Sequence, residues 1–432
     1  MPTLRTITLG CKVNQYETQY LRQGLLLLGY TDAARGEAAD LCVINTCTVT
    51  AESDRKSRKL VRQAAKSNPG AKLIVTGCYA TRRPDEAAAL PGVIEVVTDK
   101  RDLPKLLQRF GLENPPDGID AFGPRSRVFV KVQDGCNQFC AYCIIPYVRP
   151  HLTSRPTGAV LDEIRRLVDS GYQEVVLTGI HLGHYGVDLD EKNNLAGLVR
   201  QIARLDGKFR VRISSIEAVE ATPELIDVMA EYSEKVCPHL HLSMQSGSDT
   251  VLERMRRRFS SSEFLDRCEM IGEKLDRPAF TTDIIVGFPG ETNAEFEETL
   301  ATARQTAFSK IHIFPFSRRE GTVAATLPDQ IPGNVIRERA ARLAELEVEL
   351  RDAYFRQFLG TRLQVLLESK VHSQSGQLTG TSARYIPVQT DGACNEIGRL
   401  VDVQIAPETA DTPRPLPHLN AHRDLSARDG TC

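Results

Sequence analysis

Short apolar segments alternate with amphipathic helical patterns over most of this chain, and that alternation limits it to α/β architectures. Arg5-Thr6-Ile7-Thr8-Leu9 reads as a strand closed by Gly10. Gln15 to Leu28 follows as a helix, with Leu21, Leu25 and Leu28 on one face and Gly29 as its stop. Leu41-Cys42-Val43-Ile44 is a second strand, and a polar helix from about Ala51 to Lys66 ends at Asn68-Pro69-Gly70. Lys72-Leu73-Ile74-Val75-Thr76 and Val93-Ile94-Glu95-Val96-Val97 are the third and fourth strands. This order predicts a doubly wound parallel sheet, in which ligands bind beyond the carboxyl ends of the strands. Cys11, Cys47 and Cys78 each sit just past such an end, so they can converge on one metal site. Cys42 lies inside its strand and reads as a small buried hydrophobe. The competing reading makes all of them core cysteines.

A second set is contiguous. Gly135-Cys136-Asn137-Gln138-Phe139-Cys140-Ala141-Tyr142-Cys143 contains C-x₃-C-x₂-C. A structural zinc site normally closes its tetrahedron with a fourth nearby ligand. A [4Fe–4S] cube takes one thiolate per iron, so three thiolates leave one iron open to a substrate or cofactor. The competing reading is zinc completed by a distant ligand such as His151, or a partly assembled redox cluster. Eleven cysteines, an odd number, with no signal peptide at Met1-Pro2-Thr3, read as thiols or metal ligands in a reducing cytoplasm. No apolar run is long enough to span a bilayer, and no membrane association is expected. A net charge of −2 gives no global sign of nucleic-acid binding, so any such surface must be local.

At 432 residues the chain predicts several domains. Residues 2–112 form the first, and 113–126, rich in Pro, Gly and Asp, form a linker. Residues 127–358 carry a strand at Arg127–Val132 and further strands at Glu174–Leu177, Arg210–Ile213, His239–Leu242, Thr282–Val286 and Lys310–Phe314. Six βα units are too few for a closed eight-fold barrel and predict an open, partial one. Polar or glycine-rich turns follow its strands: Thr178-Gly179-Ile180-His181, Ser214-Ser215-Ile216-Glu217, Gln245-Ser246-Gly247 and Gly287-Phe288-Pro289-Gly290-Glu291. His181, His184, His239, His241 and His312 lie near these ends; they read as satisfied core residues and are not assigned to metal. A long helix over Ile336–Leu359 precedes a period-two pattern over 359–406 that predicts a small β-barrel. Residues 407–432 are expected to be a disordered tail.

The C-x₃-C-x₂-C spacing with Tyr142 before its last cysteine resembles the signature of radical S-adenosylmethionine enzymes. Thr8-Leu9-Gly10-Cys11-Lys12-Val13-Asn14-Gln15-Tyr16-Glu17-Thr18, Asn45-Thr46-Cys47-Thr48-Val49-Thr50 and Thr76-Gly77-Cys78 resemble the N-terminal domain of one such family, the methylthiotransferases. Members thiomethylate tRNA adenosine-37 or a ribosomal-protein aspartate. Lys12-Val13, Glu17-Thr18 and Thr48-Val49-Thr50 are most similar to the branch acting on N6-threonylcarbamoyladenosine. The isopentenyladenosine branch usually carries Gln-Met after the first Cys. The resemblance implies two [4Fe–4S] clusters: an auxiliary one on Cys11, Cys47 and Cys78, and one on Cys136, Cys140 and Cys143 that cleaves S-adenosylmethionine. It implies that Tyr142, Gly179, Ser215, Glu217, Gln245 and Gly287 line the S-adenosylmethionine site, and that Arg254, Arg256, Arg257 and Arg258 face RNA phosphate. It further implies a TRAM-like barrel at 359–406, a tRNA anticodon stem-loop as partner, an external electron donor and a sulfur source. No catalytic acid or base is singled out. Where the family commonly has a Gly-Arg step after the cysteine loop, this chain has Arg149-Pro150-His151-Leu152. The alternatives are a methylthiotransferase acting on isopentenyladenosine-37 or a ribosomal-protein aspartate, and a non-catalytic, metal-stabilised RNA-binding protein.

Overall fold

The computed structural model describes residues 1–189, 193–371, 377–409, 412 and 415–422. The N-terminal sheet contains β1 (Thr3–Thr8), β2 (Thr31–Asp32), β3 (Leu41–Thr46), β4 (Lys72–Gly77) and β5 (Val93–Val96), in the order β2-β1-β3-β4-β5. Every pairing is parallel. β3 is central and buried along its whole length, which is why it reads as a continuous apolar run rather than an alternation. α1 (Lys12–Leu27) starts directly after β1, and α2 (Ala51–Ser67) after β3, with the Thr50 hydroxyl accepting from the Ser53 amide at 3.1 Å. α3 (Cys78–Arg82) follows β4 without a spacer. Gly77 makes that corner possible: its φ is +99°, and a Cβ there would lie 2.2 Å from the Thr46 carbonyl oxygen.

The central region is an open parallel barrel in two sheet segments. One is ordered β10-β9-β6, from β6 (Val128–Lys131), β9 (Glu174–Thr178) and β10 (Arg210–Ile213). The other is ordered β11-β12-β13-β14, from β11 (Ser215–Ile216), β12 (His239–Leu242), β13 (Ala279–Val286) and β14 (Lys310–Pro315). A parallel bridge between Val211 and Val236 joins the segments. A short antiparallel pair, β7 (Gln133–Asp134) and β8 (Thr153–Ser154), clamps the root of the cysteine loop. β6 and β14 are the free edges, and α1 packs against β6. One apolar core therefore runs from Leu4, Leu21 and Leu25 through Val128 and Val130 to Leu242 and Val286.

The C-terminal barrel closes in the order β15-β16-β17-β19-β18. Its strands are β15 (Arg362–Val371), β16 (Leu378–Ser382), β17 (Pro387–Thr390), β18 (Leu400–Ile405) and β19 (Leu419–His422). β19 corrects the expected disordered tail: it pairs in parallel with β17 and antiparallel with β18, with Leu419 and Ala421 buried. Two apolar residues in four, beyond a proline-rich stretch, fall below what composition reveals; closing the barrel edge supplies their hydrogen bonds. Within that expected tail, residues 410, 411, 413, 414 and 423–432 lie outside the described residues. Buried arginines fasten this barrel to the core. Arg210 donates to the carbonyls of Gln364 and Thr381, and Arg212 to those of Ser382 and Ala383. Both also meet buried Glu174, as does Arg127 at 3.4 Å. Burial alone would raise the Glu174 carboxyl, but the guanidinium groups hold it well below the usual carboxylate range. Among the described residues no helix is long and apolar enough to cross a membrane.

Candidate active site

The contiguous cysteine loop leaves β7 at Gly135, whose φ is +81° and whose Cβ, if present, would lie 2.0 Å from the His151 carbonyl oxygen. The Cys136 amide donates to the Arg149 carbonyl at 3.1 Å, which folds the loop back on itself. Ala141 fixes its middle, donating to the Met255 carbonyl at 2.9 Å and accepting from the Ala324 amide at 2.7 Å. Cys143 Sγ accepts from the Ile145 amide at 3.4 Å. Cys140 Sγ lies 3.6 Å from the Arg257 guanidinium, and Cys136 Sγ lies 3.8 Å from His181 Nδ1. Burial, and then the two neighbouring sulfurs, push the Cys143 thiol up to about 12.

The dispersed set converges as well. Cys11 is the N-cap of α1, Cys47 follows β3, and Cys78 opens α3. An ideal Cβ on Gly10 would come within 3.4 Å of Cys47 Sγ, so glycine leaves room for the neighbouring sulfur. Cys11 is exposed at its surface yet crowded by protein, which pushes its thiol up to about 11 against the opposing Arg149 charge. Burial also raises Cys47.

Among the described residues, the one group of three donors within 4.8 Å of each other is His181, His184 and Glu220. Both cysteine triads are wider than that. Four thiolates on one zinc would bring sulfurs to roughly 3.8 Å apart. As placed, neither triad is gathered tightly enough for a single tetrahedral ion, and three thiols apiece are the donor set of an iron–sulfur cluster with one iron left open.

Arg149 joins the two. Its guanidinium is buried and reaches Cys78 Sγ at 3.4 Å, Glu17 at 2.8 Å, Asp134 at 2.8 Å and Asn14 at 3.0 Å. Lys131 adds contacts to Glu17 at 3.2 Å and Asp134 at 3.0 Å. Burial would raise both carboxyls; Arg149 and then Lys131 outweigh it and hold them low. Arg149, which opens the stretch that departs from the family's usual step, is thus the tie between the N-terminal sheet and the cysteine loop.

The remaining expected residues separate. Glu217 Oε1 accepts from Arg257 at 2.7 Å, while Glu217 Oε2 and Arg257 Nε are buried without partners. Tyr142 is enclosed beside Arg257, Cys140 and Glu217. Gly179 abuts Gln133, whose Oε1 also accepts from the His181 amide at 2.8 Å. Ser215 begins β11 and is exposed. Gln245, with φ +69°, threads between Asp283 and Ile285. Gly287 is set apart: its open face is filled by Ile336, so it serves the packing of the long helix. The arginine cluster also divides, which corrects its assignment to RNA phosphate as a unit. Arg257 points inward to Cys140 and Glu217, and Arg254 is held by Glu295 at 2.9 Å. Arg256 and Arg258 are exposed. His181, set aside as core in the sequence reading, faces Cys136, Gln138 and Glu220. Burial opposes its protonation, but Cys136 and Glu220 raise it to about 9. Its position two residues past Gly179, after β9, was the available signal.

Two family profiles match: "Radical SAM superfamily" over residues 130–303 and "Uncharacterized protein family UPF0004" over residues 3–99. The chain is 41% identical over 425 residues to the threonylcarbamoyladenosine tRNA methylthiotransferase MtaB of Bacillus subtilis, covering 94% of each. It is 42% identical over 369 residues to the protein of the same name from Chlamydia pneumoniae, covering 85% of this chain and 87% of the other. A solved radical S-adenosylmethionine methyltransferase, TsrM from Kitasatospora setae, shares the fold with a TM-score of 0.53 at 14% identity, over 73% of this chain and 75% of that one. On the strength of the full-length relatives, this chain belongs to the methylthiotransferase family of radical S-adenosylmethionine enzymes.

Proposed function

We propose that this protein is a tRNA methylthiotransferase that converts N6-threonylcarbamoyladenosine-37 to its 2-methylthio derivative. The observation that carries the reading is the pair of three-thiol sets, neither gathered tightly enough for one zinc, tied together through Arg149. Near full-length similarity to the named threonylcarbamoyladenosine enzymes supports the substrate. Cys136, Cys140 and Cys143 hold one [4Fe–4S] cluster, and Cys11, Cys47 and Cys78 hold the other. When bound, these clusters and S-adenosylmethionine supply radical, sulfur and methyl chemistry, which adenine C2–H needs because it is not acidic enough for a side-chain base.

The chain's own groups bind and shield. Arg257 sets positive charge against Cys140 and holds Glu217, whose second oxygen is left to accept from a ribose hydroxyl or the methionine amine. Arg149 does the same for Cys78, and His181 does so for Cys136. Exposed Arg256 and Arg258 and the C-terminal barrel are assigned to the anticodon stem-loop, where phosphate contact is salt-dependent. An external electron donor and a sulfur source complete the system, in a reducing cytoplasm.

The test is iron and labile sulfide per chain after anaerobic reconstitution, followed by nucleoside analysis of tRNA treated with the loaded enzyme. About eight irons per chain and a 2-methylthio-threonylcarbamoyl product are expected. Stoichiometric zinc with no iron, or product on isopentenyladenosine alone, overturns the reading.

A further inference from the structure

The lumen of the partial barrel holds a polar cavity of about 90 Å³ in which all three parts of the chain meet. Lys12 enters from the start of α1 in the N-terminal domain, His239, His241 and His312 come from the barrel strands, and Tyr385 comes from the C-terminal barrel. Ser214 and Ser215, three and two residues before Glu217, line it and bring it next to the cofactor side.

The polar groups of this cavity are incompletely used. His239 and His241 both approach the single Thr281 hydroxyl, at 3.0 and 3.1 Å. His239 Nδ1 is buried with no partner, and His241 Nε2 has no hydrogen bond, its nearest acid being Asp283 at 3.4 Å. Unpaired buried polar atoms are rare, and two on adjacent inward positions of one strand call for a ligand. Charge is out of balance too. Arg127, Arg210 and Arg212 share Glu174 below the cavity, and Arg127 also meets Glu368. Lys12, above them, has no carboxylate within 4.0 Å among the described residues. The lining therefore presents donors and three cationic side chains, Lys12, Arg127 and Arg212, with no carboxylate among them; Asp283 stands just outside it, and exposed Ser215 and His312 mark where it opens.

The substrate chemistry matches that surplus. Adenine C2 and C6 belong to one six-membered ring, so a group on N6 must be housed within a ring's width of the reacting carbon. A threonylcarbamoyl group carries a carboxylate and a hydroxyl, whereas an isopentenyl group carries neither and would leave these polar atoms bare. Resting on the proposed substrate, we propose that the lumen cavity is the recognition site for the amino-acid carboxylate borne on N6, with Lys12 as its charged anchor and His241 and His312 as neighbouring donors. Lys12, directly after Cys11, links this recognition to the auxiliary cysteine site.

The test compares binding of three anticodon stem-loop RNAs to the reconstituted enzyme: one with the free threonylcarbamoyl acid, one with its methyl ester, and one with isopentenyladenosine. Wild type is expected to bind the acid about tenfold more tightly than the ester, the size expected of one charge-assisted contact. Lys12→Gln is expected to erase that difference by weakening the acid alone. If Lys12→Gln loses iron, His312→Phe, on a strand that carries no cysteine, is the second variant; it is expected to weaken the acid several-fold and not the ester. Equal binding of acid and ester by wild type overturns the pocket, even when the methylthio product still forms. Equal weakening of both forms by Lys12→Gln also overturns it, since Lys12 would then only balance the thiolates. Turnover of the isopentenyl RNA in place of the acid overturns the substrate reading and the pocket together.

Discussion

Cys136, Cys140 and Cys143 fall within one short loop, whereas Cys11, Cys47 and Cys78 are gathered from three strand ends of one parallel sheet. The backbone of the loop is held by main-chain hydrogen bonds, at Cys136, Ala141 and Cys143, and side chains reach its sulfurs, Arg257 at Cys140 and His181 at Cys136. The dispersed site is held by side chains, because each of its cysteines needs a separate anchor: Ser57 on Cys47, Asn14 beside Cys11 and Arg149 on Cys78. A local site tolerates sequence change around it. A site assembled by topology depends on buried polar residues far from it in sequence.

The largest expected break in this comparison comes from removing each triad. Cys136→Ala/Cys140→Ala/Cys143→Ala should abolish reductive cleavage of S-adenosylmethionine and leave about four irons. Cys11→Ala/Cys47→Ala/Cys78→Ala should leave a similar iron count but retain that cleavage, while the methylthio product is lost. Anaerobic cleavage assays beside iron analysis separate the two.

Next in size is Arg149→Met. Removing one side of a buried charge network costs about 3–5 kcal/mol, read as a lower urea midpoint of the apoprotein. The deficit should depend on pH. In wild type, Glu17 and Asp134 are held below their unfolded values, so their contribution is full above about pH 4 and fades as pH falls through the native values. In the variant these carboxyls lose their main counter-charge, and burial pushes them up. Acidification then relieves the variant while it weakens wild type, so the gap between them should narrow. A gap that widens toward acid pH would show that Arg149 is not their main partner.

Smallest is Ser57→Ala. Its hydroxyl donates to the Cys47 carbonyl at 2.8 Å and accepts from the Cys47 amide at 3.2 Å. Loss of both should cost about 1–3 kcal/mol and speed iron loss from the dispersed site to chelators, with the contiguous site unaffected. Equal iron loss from both sites would mean that they are not separately supported.

The same contrast governs what could be read in advance. The contiguous triad is a spacing, visible in one line of sequence. The dispersed triad was legible because strand–helix alternation dictates which ends of a parallel sheet lie together. The open barrel followed from its count of βα units. The inward turn of Arg254 and Arg257 was not legible, since a charge run has the same composition whether it meets water or Glu295 and Glu217. The role of Arg149 was hidden because its partners, Glu17 and Asp134, are distant and have no periodicity. β19 was hidden by its brevity, and His181 by the usual role of strand-end histidines.

Arg149 also decides how a nucleotide reaches the site. Its carboxylate partners come from both sides of the junction between the N-terminal sheet and the central barrel. Parting those two bodies would strand an unpaired ion in the interior, so they do not open like jaws around RNA. The base must travel instead. On this reading the nucleotide would be swung out of its stack and inserted alone between two fixed walls. A loop residue in single-stranded RNA is cheap to extrude in this way, whereas the same adenine inside a duplex would meet a closed door.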